Sequence, residues 1–257
     1  MSISQLTKAI EQFFASHDYD HARKRTLDLI YDSQNKDYMK QGLQWSRQFY
    51  DEDYNHNPGK EWVSQGLELL KKLEKHTYHE QPIKLLAKAE GISKAYRAGK
   101  FALKNIDFTI NSGEIVGIVG ENGNGKTTFL RHLAGELQQD DGNINYNYFK
   151  VDTNFFYSLK EHTGFIPQRI PKWYGKLRHN LEFTAATHGI KGDDNELMVD
   201  FILERFGLTK FANLYWTQIS SGYRTRFEIA RIVLLRPQLL VLDEPLANLD
   251  INAQQTL

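Results

Sequence analysis

Two parts of different class are predicted: an all-α stretch of about four helices over residues 1–80, and an α/β domain over 88–257, joined by a linker at 81–87. Three observations carry this. Apolar residues recur at helical spacing to about residue 75, then give way to short apolar runs bounded by glycine. A glycine-rich loop, Gly120–Thr128, lies between a β-branched run and a helix-like run. An unbroken apolar stretch, Leu239–Leu242, ends in the acids Asp243 and Glu244.

The helices follow in order. Leu6, Ile10, Phe13 and Phe14 are spaced i, i+4, i+7, i+8, an amphipathic stripe. Leu27, Ile30 and Tyr31 mark a second. Met39, Leu43, Ser46 and Tyr50 share a face of a third, with Trp45 and Phe49 beside it. Trp62, Gly66, Leu69, Leu70 and Leu73 mark a fourth. Polar breaks fall at 17–20, 32–37 and 55–59. Short loops between such helices imply two hairpins or a small bundle. The aromatic residues of this part are expected in its core, a partner-binding groove being the sharper alternative. His76 and His79 have helical metal spacing, but with Glu80 as their only acidic neighbour they are expected to be solvated surface.

The α/β elements come next. Leu85–Lys94, Phe101–Ile110, Glu114–Val119, Gly142–Tyr146 and Glu161–Ile166 are predicted strands, and Phe129–Leu137 a helix. Residues 175–216 turn helical again. Arg224–Leu235 is a further helix, and Leu239–Leu242 is expected as a fully buried strand.

The loop has the spacing Gly-x-x-x-x-Gly-Lys-Thr, filled by Gly120, Gly125, Lys126 and Thr127. Glycines let successive backbone N–H groups curl around an anion, so Gly120, Asn122, Gly123, Asn124, Gly125 and Thr128 are candidate phosphate contacts. A helix starting at Lys126 aims its positive end at the same phosphates. Lys126 adds a full charge, and the Thr127 hydroxyl can ligate Mg²⁺. The pattern commits the chain to a nucleoside triphosphate.

Ligands of α/β sheets collect at the carboxyl ends of strands. Asp243 is therefore a candidate magnesium ligand, directly or through water, and Glu244 a candidate to polarise an attacking water. Ser220 and Gly222 stand just before a helix, where a hydroxyl and a bare N–H can grip a phosphate; an ordinary serine cap is the plainer reading.

Composition narrows the classes. Lys plus Arg equals Asp plus Glu at 32 each, so no bulk field recruits nucleic acid. There is no cysteine, hence no disulfide or thiolate metal site, which fits a reducing compartment. No apolar run approaches the roughly 20 residues of a membrane helix.

From about residue 88 onward the sequence resembles the nucleotide-binding domain of an ABC ATPase. Gly120–Thr128 is similar to Walker A, Leu239–Glu244 to Walker B, and Ile219–Tyr223 to the signature usually written LSGGQ. Gln168 stands where the Q-loop glutamine should be, Tyr96 where an adenine-stacking aromatic is found, and Leu246–Asp250 resembles the D-loop. The resemblance implies a P-loop NTPase fold: a RecA-like core with an antiparallel β subdomain and a helical subdomain. It implies catalytic roles for Glu244 and Gln168, a metal set of Thr127, Gln168 and Asp243, and nucleotide contacts from Tyr96, Ser220, Gly222 and Asp250. It implies head-to-tail pairing as a homodimer or heterodimer, in which Ser220 and Gly222 of one copy close on the phosphate at Lys126 of the other. It further implies a separate membrane permease as partner and a cytoplasmic place, peripheral at the inner face of the plasma membrane. The run Lys176–Phe183 is similar to export-type ATPases.

Ser221 and Tyr223 depart from the signature's glycine and glutamine. The sequence stops 13 residues after Glu244, before the family's switch histidine, so a C-terminally truncated chain with weak hydrolysis is expected. His132, His162, His179 and His188 are in the wrong place to substitute. The helical N-terminal part lies outside the family plan, and its partner is unknown. Two alternatives stand beside a transporter subunit: a soluble ABC ATPase acting on nucleic acid, ribosome or a protein assembly, and an ATP-sensing regulatory module.

Overall fold

A computed structural model describes residues 2–49, 58–76, 83–96, 102–150 and 154–245. The chain divides into two compact units. One comprises residues 1–80 and 175–215, the other 81–174 and 216–257. The helical stretch around 175–215, expected inside the α/β domain, thus groups with the N-terminal helices.

The first unit is helical. It contains α1 (Ile3–Ala15), α2 (Tyr19–Ser33), α3 (Lys36–Gln48), α4 (Lys60–Glu74), α7 (Leu177–Thr187) and α8 (Gly192–Arg205). The polar breaks are caps. Ser2 and Gln5 form a reciprocal capping box on α1, and the Asp18 and Asn35 side chains accept the first free N–H groups of α2 and α3. Ile10, Phe14, Leu27, Ile30, Leu43, Trp45, Trp62 and Leu70 form one core with Phe201 of α8. Trp45 and Trp62 stack with ring centres 4.6 Å apart, and each indole N–H donates to the other's backbone carbonyl, at 2.9 and 3.0 Å. These aromatics are core, as expected. His76 lies edge-on to Tyr38 and near the Ser33 carbonyl, and His79 and Glu80 fall outside the described residues.

The reason 175–215 joins this unit is a buried polar network. Arg23 of α2 is 0% exposed, and its Nη1 donates to Glu204 Oε1 of α8 at 3.2 Å. The Ser46 hydroxyl of α3 donates to the same oxygen at 2.7 Å. Thr209 donates to Glu204 Oε2 at 2.9 Å, and Arg205 pairs with Asp28. Such pairings connect residues far apart in sequence and leave no periodic trace in it.

The second unit carries a three-stranded antiparallel sheet, ordered β2 (Ala102–Asn111), β1 (Leu85–Ala95), β3 (Asp141–Tyr146). It also carries a parallel pair, β4 (Thr163–Ile166) with β5 (Leu239–Leu242). Helices α5 (Lys126–Leu133), α6 (Phe155–His162) and α9 (Ser221–Leu234) complete it. Ala89, Ile92, Leu103 and Ile144 of the antiparallel sheet share a core with Phe129 and Leu133 of α5 and with Leu239 and Val241 of β5.

Four sequence expectations are corrected. Glu114–Val119 is not a strand: among the described residues it joins no ladder, and Ile115 and Val119 are 99% and 93% exposed. A β-branched run becomes a strand only where a neighbour pairs with it, and among the described residues β5 is paired by β4 alone. A cleft of about 610 Å³ is lined by 114–118 and by β5. Leu239–Leu242 is accordingly not fully buried, since Leu240 and Leu242 remain exposed. Helix α5 starts at Lys126, as the loop spacing implies, but ends at Leu133 rather than 137, just before Gly135 takes a positive φ. Helix α6 extends to His162, so the strand expected at 161–166 starts at Thr163, the Asn154 side chain having capped a helix instead.

Candidate phosphate-binding site

The site lies in the second unit, and three elements build it. The loop before α5 turns back on itself because Gly123 and Gly125 adopt φ of +89° and +87°, which a side chain would resist. This brings the Gly120 and Glu121 carbonyls to the head of Lys126, whose Nζ donates to them at 2.8 and 2.9 Å. Phe129 N–H donates to the Gly125 carbonyl, so the loop runs directly into the first helical turn.

Behind the loop, Phe129 and Leu133 pack α5 against β5. That packing sets Thr127 beside Asp243: the hydroxyl donates to Asp243 Oδ1 at 3.1 Å across 116 residues of sequence. Asp243 is only 3% exposed. Two hard oxygens side by side, one of them a buried carboxylate, suit Mg²⁺, which takes one or two protein ligands and draws the rest from water and phosphate. Among the described residues no group of three or more His, Cys, Asp or Glu could hold a metal by itself.

The parallel ladder places the other pair. Ile166 is in register with Leu242, and Asp243 N–H donates to the Ile166 carbonyl at 2.9 Å. Two residues beyond each, Gln168 and Glu244 therefore meet, with Gln168 Nε2 donating to Glu244 Oε2 at 2.7 Å. Glu244 has φ of +50°, a left-handed conformation unusual for a side-chain-bearing residue. Such strain concentrates at functional sites.

Ser220 is the N-cap of α9, its Oγ accepting from Tyr223 N–H at 3.4 Å, and Gly222 lies in the first turn. The plainer reading of this serine thus holds within the chain. Tyr223 lies under the Arg226 guanidinium, 5.1 Å from ring centre to Cζ. Tyr96 follows β1 and is exposed. Asn122, Asn124 and Thr128 belong to the loop and its first helical turn, and Asn124 N–H donates to the Glu121 carbonyl. Asp250 and the 246–250 segment lie outside the described residues. The structure therefore brings together Lys126, Thr127, Asp243, Gln168 and Glu244. The Gly120 and Glu121 carbonyls as partners of Lys126 carry no signal in the sequence.

Comparison with known proteins identifies relatives of this chain. A family model described as ABC transporter matches residues 103–247, more than half of the chain. An uncharacterized ABC transporter ATP-binding protein, YdbJ of Bacillus subtilis, is 37% identical over 163 residues, covering 63% of this chain and 51% of that protein. A putative ABC transporter ATP-binding protein of Streptomyces coelicolor is 33% identical over 162 residues, covering 62% of each. The lipoprotein-releasing system ATP-binding protein LolD of Buchnera aphidicola is 32% identical, covering 65% of this chain and 76% of that protein. The chain thus spans about half the Bacillus relative and about three-fifths of the Streptomyces one. Among solved structures, the ATP-binding subunit of an ABC transporter superposes with a TM-score of 0.59 at 25% identity, covering 66% of this chain and 71% of that one. The cbiO1 protein of Clostridium perfringens, part of the transporter complex cbiONQ, gives 0.57 at 28% identity, covering 66% and 70%.

Proposed function

This chain belongs to the ABC transporter family, and we propose that it is the ATP-binding and ATP-hydrolysing subunit of a transporter whose membrane spans are supplied by a separate permease. Members of this family bind and hydrolyse ATP. Among the described residues no helix is long and apolar enough to cross a membrane.

The observation that supports the reading is the Thr127–Asp243 hydrogen bond at the base of the loop that folds over Lys126. A triphosphate entering there meets the backbone N–H groups of 120–128 and the Lys126 ammonium, which exchanges carbonyl partners for phosphate oxygens. Thr127 and Asp243 would hold Mg²⁺, which when bound neutralises charge on the β- and γ-phosphates. Glu244 orients and deprotonates the attacking water, and Gln168, already bonded to it, holds that carboxylate in place and reaches toward the metal. Tyr96 stacks on the adenine. Ser220, Gly222 and Asp250 of a second nucleotide-binding domain complete the site, so ATP binds two domains together and hydrolysis releases them. The nucleotide-binding part is 88–257, the helices of 1–80 serve an unidentified partner or restrain closure, and the protein works in the cytoplasm, peripheral to the inner face of the plasma membrane.

Calorimetry tests the reading. Wild-type protein takes up ATP in the presence of magnesium, and Lys126→Ala abolishes that uptake. Equal affinity in both would remove the phosphate cradle.

A further inference from the structure

Helix α8 has no single apolar stripe. Val199, Phe201, Ile202, Leu203, Glu204 and Arg205 are all buried, and such consecutive positions point all round a helix axis. A helix buried all round needs partners on two sides. Helix α7 supplies one. Asn195 Nδ2 of α8 donates to the Glu182 carbonyl at 2.9 Å, and Arg178 Nη1 pairs with Asp200 Oδ1 at 2.6 Å. Helices α2 and α3 supply the other. Phe201 joins the core of α1–α4 and stacks on Tyr31, with ring centres 6.5 Å apart. Leu197 and Met198 pack against the same core.

Charge fits this face along its length. Lys36, at the start of α3, pairs with Asp194 in the first turn of α8 at 2.7 Å. Arg47, in the last turn of α3, pairs with Asp200 at 2.7 Å. Arg23 and Asp28 of α2 take Glu204 and Arg205 at the far end. Three acids of α8 thus meet bases, and its single base meets an acid. Pairings at both ends of α3 fix its register on α8.

The apolar contact supplies the attraction, and Glu204 supplies the selectivity. A buried ion pair adds little net affinity, but a buried carboxylate without its cation is costly. Any other occupant of this face would have to bring a donor to Arg23's place, or leave Glu204 unpaired.

We infer that the partner of α1–α4 is the 175–215 segment of the same chain. Residues 1–80 are the dedicated partner of α8 and fold with 175–215 as one cooperative body, not as an independent recruiting module. This does not depend on the ATP site.

Native-state hydrogen exchange on the full chain tests it. In wild type the slowest amides of α2, α3 and α8 are expected to share one opening equilibrium. F201A leaves a cavity between α8 and the α1–α4 core. It should speed exchange in α2 and α3 at least about tenfold together with α8, while β1 and β2 stay within about twofold. R47A cuts an exposed pair and should speed α3 and α8 together by about threefold. A second measurement covers a variant that fails to fold. A protease site is placed between Glu80 and Gln81, and the folded chain is cut. The two pieces should co-elute on gel filtration even at high salt, because a buried contact is little screened. Faster exchange in α8 alone, with α2 and α3 fully protected, overturns the inference. So does a cut piece 1–80 that elutes by itself and keeps its helical spectrum. Failure to bind ATP would count against the phosphate site and leave these outcomes as they are.

Discussion

Arg23 and Glu204, 181 residues apart, form an ion pair with both side chains within 2% of full burial. Neither charge has water to fall back on. The pair holds only because Ser46 and Thr209 also donate to Glu204, while Asp20 accepts from Arg23 at 3.1 Å.

Removing one partner should therefore be far worse than removing both. Arg23→Ala leaves a buried carboxylate and is expected to cost about 3–5 kcal/mol in urea unfolding. The double replacement Arg23→Met with Glu204→Leu should recover most of that loss. If single and double variants were equally damaged, the ion pair would not be the element that joins α8 to α2.

Two glycines of the same helical unit should respond differently to alanine. A Cβ at Gly66 would lie 2.7 Å from both Phe14 Cζ and Trp45 Cζ2, two buried rings that both pack on Trp62. Gly66→Ala should destabilise by about 1–2 kcal/mol, overpacking outweighing the better helix propensity. At Gly42 the close atom is Ile30 Cδ1, the end of a flexible chain. Gly42→Ala should be near neutral by thermal unfolding.

His132 lies on α5 directly behind the phosphate loop and is 1% exposed. Burial holds its pKa below the usual histidine value, with donation from Nδ1 to the Leu137 carbonyl at 2.8 Å and the Asp140 charge partly opposing. A folded-state value below the unfolded one means that protons favour the unfolded chain. Stability is full above about pH 6.5 and falls as pH drops through that value toward the depressed one. His132→Gln keeps a donor for Leu137 and should flatten this limb when urea midpoints are measured from pH 8 to 5. An unchanged limb would assign it to other groups.

Glu244→Gln should retain ATP while slowing hydrolysis on the order of a hundredfold or more, if the carboxylate prepares water. Single-turnover phosphate release measures this. Equal rates in variant and wild type would take Glu244 out of the chemistry.

Local physics made much of this protein legible in its sequence. The glycine spacing around Lys126 needs no partner to bend a loop and open a helix, and polar breaks at Asp18 and Asn35 double as caps. Helical stripes such as Leu6, Ile10 and Phe14 announce their own buried face. The acids at the end of β5 were legible too, whereas Gln168 was named only by its place in the family pattern, and only the 166–242 register puts it 2.7 Å from Glu244.

Tertiary structure decided what no short window contains. Whether Glu114–Val119 becomes a strand depends on a neighbour's hydrogen bonds and not on its own β-branched residues. The membership of 175–215 in the helical unit rests on Arg23 meeting Glu204, two ordinary charged residues in sequence. Glu228, read along α9 alone, looks like one more helical surface acid, until Trp173 and Arg231 close over it. Periodicity and motif spacing record what a segment does with itself, whereas buried charge pairing and ladder partnership are properties of two segments at once.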